Sequence, residues 1–418
     1  MARLHHQPDP SDVFAGVDWG GTHHQLCLVD ADGQVLRQRR VPHTVAGITE
    51  LCRLLTDSHG LTRVAIERAE GLLVERLLTL ESVEVFCVSP KISSRARERY
   101  RLAATKTDEF DAFVLADTLR HEHGFWRPLR PASDTLMQLR ATIRDRERVV
   151  WNQRDLENQL RATMEAYNPA VLHLFSSLDR DISLEFIRRY PLPAQAARVG
   201  VARMGAFISR EHYTGRVPAE TLVARLQPHL LSASAGTNQG KAFTAVRFAD
   251  QLDLLNRHLR DYDTEIDRLL ALHPDTRIFT SFPGIGPVIA ATLLAGMGED
   301  RARFPSAPAL LAETGLAPVT RASGRTRQVR FRYAANKRMR HAIDWWAFVL
   351  VREDPHWSGV LYTAARAAGQ GHYRALRGVS ARWTRILWRC WQDHADYNPD
   401  LHTNRLQAIP TAATQTTS

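Results

Sequence analysis

Four carboxylates have the types and spacing to do chemistry: Asp18 closes the apolar run Phe14-Ala15-Gly16-Val17, Glu67 closes Val64-Ala65-Ile66, and Asp108 and Asp111 sit three apart in a mixed apolar stretch. Hard oxygen ligands of this kind suit Mg2+ or Mn2+, ions that keep water and substrate phosphate in their remaining positions. Two such ions can activate a nucleophile and stabilise a departing oxygen, so the chemistry indicated is breakage or transfer of a phosphodiester bond in nucleic acid. Taken singly, each acid reads equally well as a helix cap or a surface charge. It is the closing of two apolar runs by Asp18 and Glu67, with Asp108 and Asp111 spaced to share one helix face, that singles out the set.

Such runs read as strands buried on both faces, with the carboxylate emerging where the sheet ends. His24 to Asp30, the turn Ala31-Asp32-Gly33 and Gln34 to Val41 read as a β-hairpin that continues the sheet. Asp108 and Asp111 lie among Phe110, Phe113, Val114 and Leu115, and a helix there puts both acids on adjacent turns of one face. Alternating strand and helix signals predict an α/β domain of the RNase H-like class over residues 12–125, with all four acids as metal ligands.

At 418 residues and 44% hydrophobic composition the chain is long enough for two or three domains with true cores. Neither an apolar run of about eighteen residues nor a cleavable signal is evident, so a cytoplasmic protein without a membrane partner is expected. Cys27, Cys52, Cys87 and Cys390 are scattered without a CxxC pair, which argues against a zinc site or a disulfide framework. The pairs His5-His6 and His23-His24 lack further spaced ligands and read as surface residues.

A net charge of +10 favours a polyanionic partner, and the basic residues are clustered. Lys91 to Lys106 holds six Lys or Arg and one acid just before the Asp108/Asp111 segment, with Lys91, Arg95 and Lys106 as candidate phosphate contacts. Thr320 to Arg340 holds eight and no acid. Its candidates are Arg321, Arg325, Arg327, Arg330, Lys337 and Arg338, with Phe331 and Tyr333 interleaved as stacking surfaces.

The middle of the chain, 133–274, reads as long helices. Leu252, Leu255, Leu259, Tyr262, Ile266 and Leu269 form a heptad seam, and Leu136, Leu139, Ile143, Val150, Leu160, Met164 and Tyr167 follow a similar register, a coiled-coil pair within or between subunits. An inserted region at about 168–240 interrupts them, with Leu231 to Gly240 expected as a flexible loop. Phe282-Pro283-Gly284-Ile285-Gly286-Pro287 then matches the turn of a helix-hairpin-helix, where Gly284 and Gly286 would bring backbone N–H groups to a phosphate. A mainly α-helical C-terminal domain over 275–403 follows, its tryptophans (Trp345, Trp346, Trp357, Trp383, Trp388, Trp391) expected in the core, and 404–418 is expected to be disordered.

The motif order, four acids, central long helices, the Pro-Gly-Ile-Gly-Pro turn, then Gly315-Leu316-Ala317-Pro318 with a downstream Ser323-Gly324 and a basic stretch, resembles the DEDD transposases of the insertion-sequence-110 group. The resemblance spans about residues 12–120 and 275–350. It implies a RuvC-like domain joined through a coiled coil to a C-terminal transposase domain that supplies a nucleophilic serine. It also implies a structured bridge RNA as guide, target and donor DNA as substrates, and a homodimer that assembles to a tetramer. Matched residue by residue, Asp18, Glu67, Asp108 and Asp111 take the metal positions and Ser323 the nucleophile, with Ser281 and Ser306 as competing serines. On residue type alone, Ser323 is an ordinary turn serine.

The sequence also admits three other readings. A metal-dependent nuclease or junction resolvase would use the same acids with water as nucleophile. Asp18-Trp19-Gly20-Gly21-Thr22 also resembles the phosphate-binding hairpin of actin-like sugar kinases, but no second glycine-rich phosphate loop follows and the basic stretch would have no purpose there. A nucleic-acid-binding protein with an inert metal site is the third.

Overall fold

The computed structural model describes residues 12–57, 60–100, 107–324, 326–354 and 357–400. The chain divides into two units, Met1–Ser133 and Asp134–Ser418.

The first unit is built on a five-stranded sheet in the order β3-β2-β1-β4-β5: β1 is Val13–Trp19, β2 His23–Val29, β3 Val35–Pro42, β4 Thr62–Ile66 and β5 Val83–Cys87. β1, β2 and β3 pair antiparallel as a meander, whereas β1, β4 and β5 run parallel. In the turn between β2 and β3, the Asp30 side chain accepts from the backbone N–H of Asp32 and Gln34 at 3.0 and 2.8 Å, and Gly33 supplies a φ of +87°. β3 is an exposed edge, and Arg37, Arg39 and Arg40 along it discourage pairing with another chain. β5 escapes the sequence reading because Glu84 interrupts its apolar run, a charge met by Arg63 of the neighbouring β4 at 3.5 Å.

Helices cover both faces of this sheet. α1 (Val45–Thr56) and α2 (Leu72–Leu78) pack Leu51, Leu55, Leu73 and Leu77 against Ala15, Val17, Leu26, Val64, Ile66 and Val85. On the other face α4 (Asp108–Glu122) sets Ala112, Leu115, Ala116 and Leu119 against Phe14, Cys27, Ala65 and Phe86, and a short α3 (Pro90–Arg97) precedes it. Gly16 decides how close α4 can come: a Cβ there would stand 1.9 Å from the carbonyl oxygen of Ala112 and 2.6 Å from the nitrogen of Ala116. Backbone cannot yield as a side-chain tip can, so Gly16→Ala is expected to cost about 1–3 kcal/mol through overpacking. Chemical denaturation followed by circular dichroism checks it, and an unchanged midpoint would contradict this packing.

Among the described residues, the second unit is helical apart from one hairpin. Its elements are α5 (Asp134–Tyr167), α6 (Asp181–Arg189), α7 (Pro193–Ala196), α8 (Val201–Arg210), α9 (Ala219–Leu226), α10 (Ala235–Leu272), α11 (Thr276–Thr280), α12 (Pro287–Met297) and α13 (Ala307–Glu313). The hairpin β6 (Val319–Ser323) and β7 (Thr326–Arg330) follows, then α14 (Lys337–Glu353), α15 (Ser358–Ala367) and α16 (His372–Gln392). α5 and α10 pair within the chain and run in opposite directions, as Gln138–Glu265 (3.0 Å), Arg146–Asp263 (2.6 Å) and Gln153–Asn256 (2.7 Å) require. Leu252, Ile266 and Leu269 of the expected seam are buried, while Leu255, Leu259 and Tyr262 between them are half-buried.

The region between these two helices has a core of its own, where Phe186, Phe207, Leu222 and Leu226 meet Leu160 and Met164 of α5 and Ala245 and Ala249 of α10. The expected flexible loop at Leu231 to Gly240 is corrected in part: Ser234 caps α10 by accepting from Thr237 N–H at 3.3 Å, and the helix already runs from Ala235. An N-cap serine and the packing of Ala242, Ala245 and Ala249 outweigh the cost of Gly236 and Gly240, about 1 kcal/mol each.

Trp346, Trp357, Trp383 and Trp391 are buried in the C-terminal helices as expected. Trp345, one position round α14 from Trp346, faces outward and is 57% exposed. No helix among the described residues is long and apolar enough to cross a membrane.

Candidate functional site

Strand alternation decides where the first two acids point. Phe14 of β1 and Ala65 of β4 face α4, so Gly16, Asp18 and Glu67, each an even number of residues further on, share that face. Val17 pairs with Ile66 in the parallel ladder, and the next position of the same register sets Asp18 beside Glu67. Both acids therefore stand at the carboxyl ends of neighbouring parallel strands, where ligands of open α/β sheets gather.

α4 supplies the other two. Thr107 caps it, accepting from Phe110 N–H at 3.3 Å, and Asp108, Glu109 and Asp111 occupy the first turn, where the helix dipole favours negative charge. Asp108 and Asp111 lie on the stripe that continues into Ala112 and Leu115, the residues that rest on the sheet. Because Gly16 admits α4 to backbone contact at Ala112, the first turn of α4 lies over the β1 end that carries Asp18. Asp108 is exposed and Asp111 is buried.

α3 reaches into the same place. Ser93 Oγ donates to Glu67 Oε1, and Arg97 pairs with Asp111 at 3.1 Å, its side chain 28% exposed and that of Asp111 11%. Ser93 and Arg97 are four apart on one stripe of α3, so the carboxylates of Glu67 and Asp111 are held by neighbouring turns of one helix. Lys91 and Arg95 occupy the outward stripe and are exposed. The sequence reading took Arg97 only as part of a basic cluster and did not single out Ser93. The Ser93 to Arg97 spacing was visible, but its targets are 26 and 14 residues away and only the fold joins them.

Further along α4, Asp117 is a fifth acid that sequence reasoning passed over. It is buried, pairs with Arg120 at 2.7 Å and accepts from the Tyr100 hydroxyl, while Arg120 also donates to the Ala31 carbonyl at 3.2 Å. Burial first, and then the Asp117 carboxylate, push the Tyr100 phenol up to about 12. Asp117 thus ties α4 to the β2–β3 turn.

The donor set of the four acids consists of hard carboxylate oxygens and fits Mg2+ or Mn2+ in type. Among the described residues, no three His, Cys, Asp or Glu side chains close on a common point able to hold an ion. The four acids share a face and an edge, and two of them are bound to α3.

One histidine expectation is corrected. His24 is fully buried, its Nε2 lying 2.8 Å from His43 Nδ1, with Trp19 edge-on at 5.6 Å between ring centroids. Burial, then the neighbouring charges of His43 and His23, lower its pKa and favour the neutral ring. His23, the other strand face, is exposed, and His5 and His6 lie outside the described residues. Beside this cluster the Arg68 guanidinium stacks over Trp19 at 5.2 Å.

In the second unit, Ser323 is the last residue of β6 and pairs with Thr326 across a two-residue turn in which Gly324 has φ +54°. Ser323 is exposed at the hairpin tip, and no hydrogen bond to its hydroxyl occurs among the described residues. Alternation sets Arg321 on the same face of the ribbon as Ser323, with Arg330 further down, while Arg327 lies on the opposite face. Ser281 is different: its hydroxyl donates to the Ile278 carbonyl at 2.7 Å and accepts from Tyr397 N–H at 2.8 Å. Ser306 stands before α13 and is half-buried.

The remaining basic candidates separate into exposed and committed groups. Arg321, Arg327 and Lys337 are exposed, whereas Arg338 gives both Nε and Nη2 to Glu147 of α5 at 2.8 and 2.6 Å. Arg330 turns to the Gln328 side chain at 2.7 Å. Phe331, expected as a stacking surface, is instead clasped between the guanidinium groups of Arg340 (4.7 Å) and Arg377 (4.9 Å), and Tyr333 is exposed. Gly284 has φ +70° in the turn before α12, and Trp346 Nε1 donates to the Pro283 carbonyl at 2.8 Å, fixing that turn to α14. Gly286, the residue before α12, is exposed. Lys106 and Arg325 lie outside the described residues.

Comparison with known proteins matches residues 15–169 to a DEDD transposase model of the IS110 group, described as "Transposase", and residues 276–363 to "Transposase IS116/IS110/IS902 family". The chain is 33% identical over 404 residues to the "Mini-circle putative transposase for IS117" of Streptomyces coelicolor, covering 93% of this chain and 96% of that protein. It is 30% identical over 401 residues to the insertion element IS900 uncharacterized 42 kDa protein of Mycobacterium paratuberculosis, covering 93% and 97%. An insertion element IS116 protein of Streptomyces clavuligerus, of 44.8 kDa, is 28% identical over 398 residues.

Proposed function

This chain belongs to the IS110 family of DEDD transposases, and we propose that it cuts and rejoins DNA through a serine nucleophile, Ser323, and a divalent-metal site made by Asp18, Glu67, Asp108 and Asp111. The activity is that of a DNA transposase of an insertion sequence, so DNA is its substrate. The carrying observation is the shared face on which Asp18 and Glu67 end parallel strands beneath the first turn of α4. An antiparallel meander followed by parallel strands, ordered β3-β2-β1-β4-β5, is the arrangement we take as RNase H-like.

Bound Mg2+, or Mn2+ in its place, would supply Lewis-acid stabilisation of charge on the phosphate and departing oxygen. The chain's own residues do the rest. The Ser323 hydroxyl attacks a DNA phosphorus, a P–O bond to serine forms as the P–O bond to a sugar oxygen breaks, and the proton lost by serine is balanced by one gained at the leaving oxygen. Arg321, on the ribbon face of Ser323, would steady the phosphate, with Arg325, two residues after Ser323 in the sequence, as a second candidate guanidinium. A second attack, by a sugar hydroxyl of another strand on the phosphoserine, rejoins DNA and frees the enzyme.

The hydroxyl of Ser281 is held at both ends, which favours Ser323 among the three serines. Lys91, Arg95, Lys106, Arg327, Arg330 and Lys337, together with the N–H groups near Gly284 and Gly286, would contact nucleic-acid backbone. Arg338 contributes least, given its pairing with Glu147. We further read the chain as three domains, at 12–125, 133–274 and 275–403, working as a homodimer that assembles to a tetramer, with a structured RNA reading sequence by base pairing.

The test is to incubate the full chain with Mg2+, its co-purifying RNA and labelled DNA spanning an element junction, and then to denature. A labelled strand that stays with the protein is expected. Free cleaved ends without it would mean that water is the nucleophile and that the chain cuts as a metal-dependent nuclease.

A further inference from the structure

We propose that α3 is a place-holder for the metal, holding Glu67 through Ser93 and Asp111 through Arg97, so that Arg97 must leave Asp111 before an ion can take it. This rests on the four-acid metal site proposed above. Its basis is that one stripe of one helix engages two of the four acids: Ser93 donates to Glu67, and Arg97 lies 3.1 Å from Asp111 Oδ1 and 3.4 Å from Oδ2.

Three features make this more than a surface ion pair. Both partners of the Arg97–Asp111 pair are largely shielded from water, which strengthens their attraction. Ser93 and Ala96 of the same helix face are buried, so α3 is seated at the site. The Glu67 and Asp111 carboxylates are engaged by two side chains of that one face, so the seating of α3 commits both acids together. A guanidinium that satisfies a carboxylate competes directly with a divalent cation for the same oxygens, and its own positive charge opposes the ion's approach. In consequence the metal-free protein keeps its cutting site unloaded, and α3 sets the metal concentration at which it loads.

The size of the effect follows from how strongly an adjacent guanidinium stabilises a carboxylate, about 1–3 pKa units. At the lower end, Arg97→Gln is expected to tighten Mn2+ binding about tenfold, and Arg97→Lys, which keeps the charge, to stay near wild type. The measurement is Mn2+ affinity of the metal-stripped full chain, read by the electron paramagnetic resonance of unbound Mn2+, with Asp18→Asn alongside. Arg97→Met keeps the apolar stem and serves if Arg97→Gln does not fold. A second readout is the rise in melting temperature with Mn2+, which grows as affinity tightens.

Wild-type or weaker affinity in both Arg97→Gln and Arg97→Met would overturn the place-holder. If Asp18→Asn weakens binding at the same time, the four-acid site survives and only the role of α3 fails. If Asp18→Asn binds Mn2+ as tightly as wild type, or no variant binds it at all, the metal site itself is lost and α3's role with it.

Discussion

Asparagine at position 18 is expected to lower DNA strand cleavage by about three orders of magnitude, which corresponds to about 4 kcal/mol of lost transition-state stabilisation. Asp18 stands at the end of β1, half-buried and beside Glu67 in register, and asparagine preserves its shape while removing the charge that would hold a cation. The sheet beneath is fixed by Ala15 and Val17 on one side and Phe14 on the other, so folding should change by less than about 1 kcal/mol. Asp111→Asn is expected to behave in the same direction with a larger stability change, because it also unpairs Arg97. Cleavage assays with DNA binding measured in parallel separate loss of chemistry from loss of substrate. Near-normal cleavage by Asp18→Asn would remove the carboxylate site from the mechanism.

Alanine at position 323 is expected to abolish strand exchange altogether while leaving DNA affinity within about twofold, because a methyl group has no oxygen with which to form the phosphoserine link. The side chain is exposed at a hairpin tip, so stability should move by no more than about 0.5 kcal/mol. Ser281→Ala is expected to do the reverse: it frees the N–H of Tyr397 and lowers stability without removing the nucleophile. Strand exchange by Ser323→Ala at the wild-type rate would exclude this serine.

Asp18 and Glu67 were legible because strands buried on both faces leave contiguous apolar runs, and a charge ending such a run is conspicuous. Asp108 and Asp111 were legible from their three-residue spacing among apolar neighbours. What could not be read was α3: Ser93 and Arg97 acquire meaning only once the fold brings Glu67 and Asp111 to them, and by composition Arg97 is only one more basic residue of the Lys91 to Lys106 cluster. β5 was hidden because Glu84 broke its pattern, and the Arg63 that accommodates it lies on another strand. His24 was readable and missed, since it shares strand parity with Leu26 and Leu28, both core residues. Basic composition over Thr320 to Arg340 could not separate Arg338, committed to Glu147, or the guanidinium groups that clasp Phe331, from the exposed Arg321 and Arg327. Composition reports charge, whereas the partners that neutralise it come from packing.

The most direct measurement is to trap the reaction on labelled DNA, digest the nucleic acid and the protein, and locate the residual nucleotide on the peptides by mass spectrometry. A phosphonucleotide on Ser323, absent from the Asp18→Asn protein, is the expected result. A nucleotide on any other residue, or cleaved DNA with no modified peptide, would contradict a serine recombinase working with these four acids.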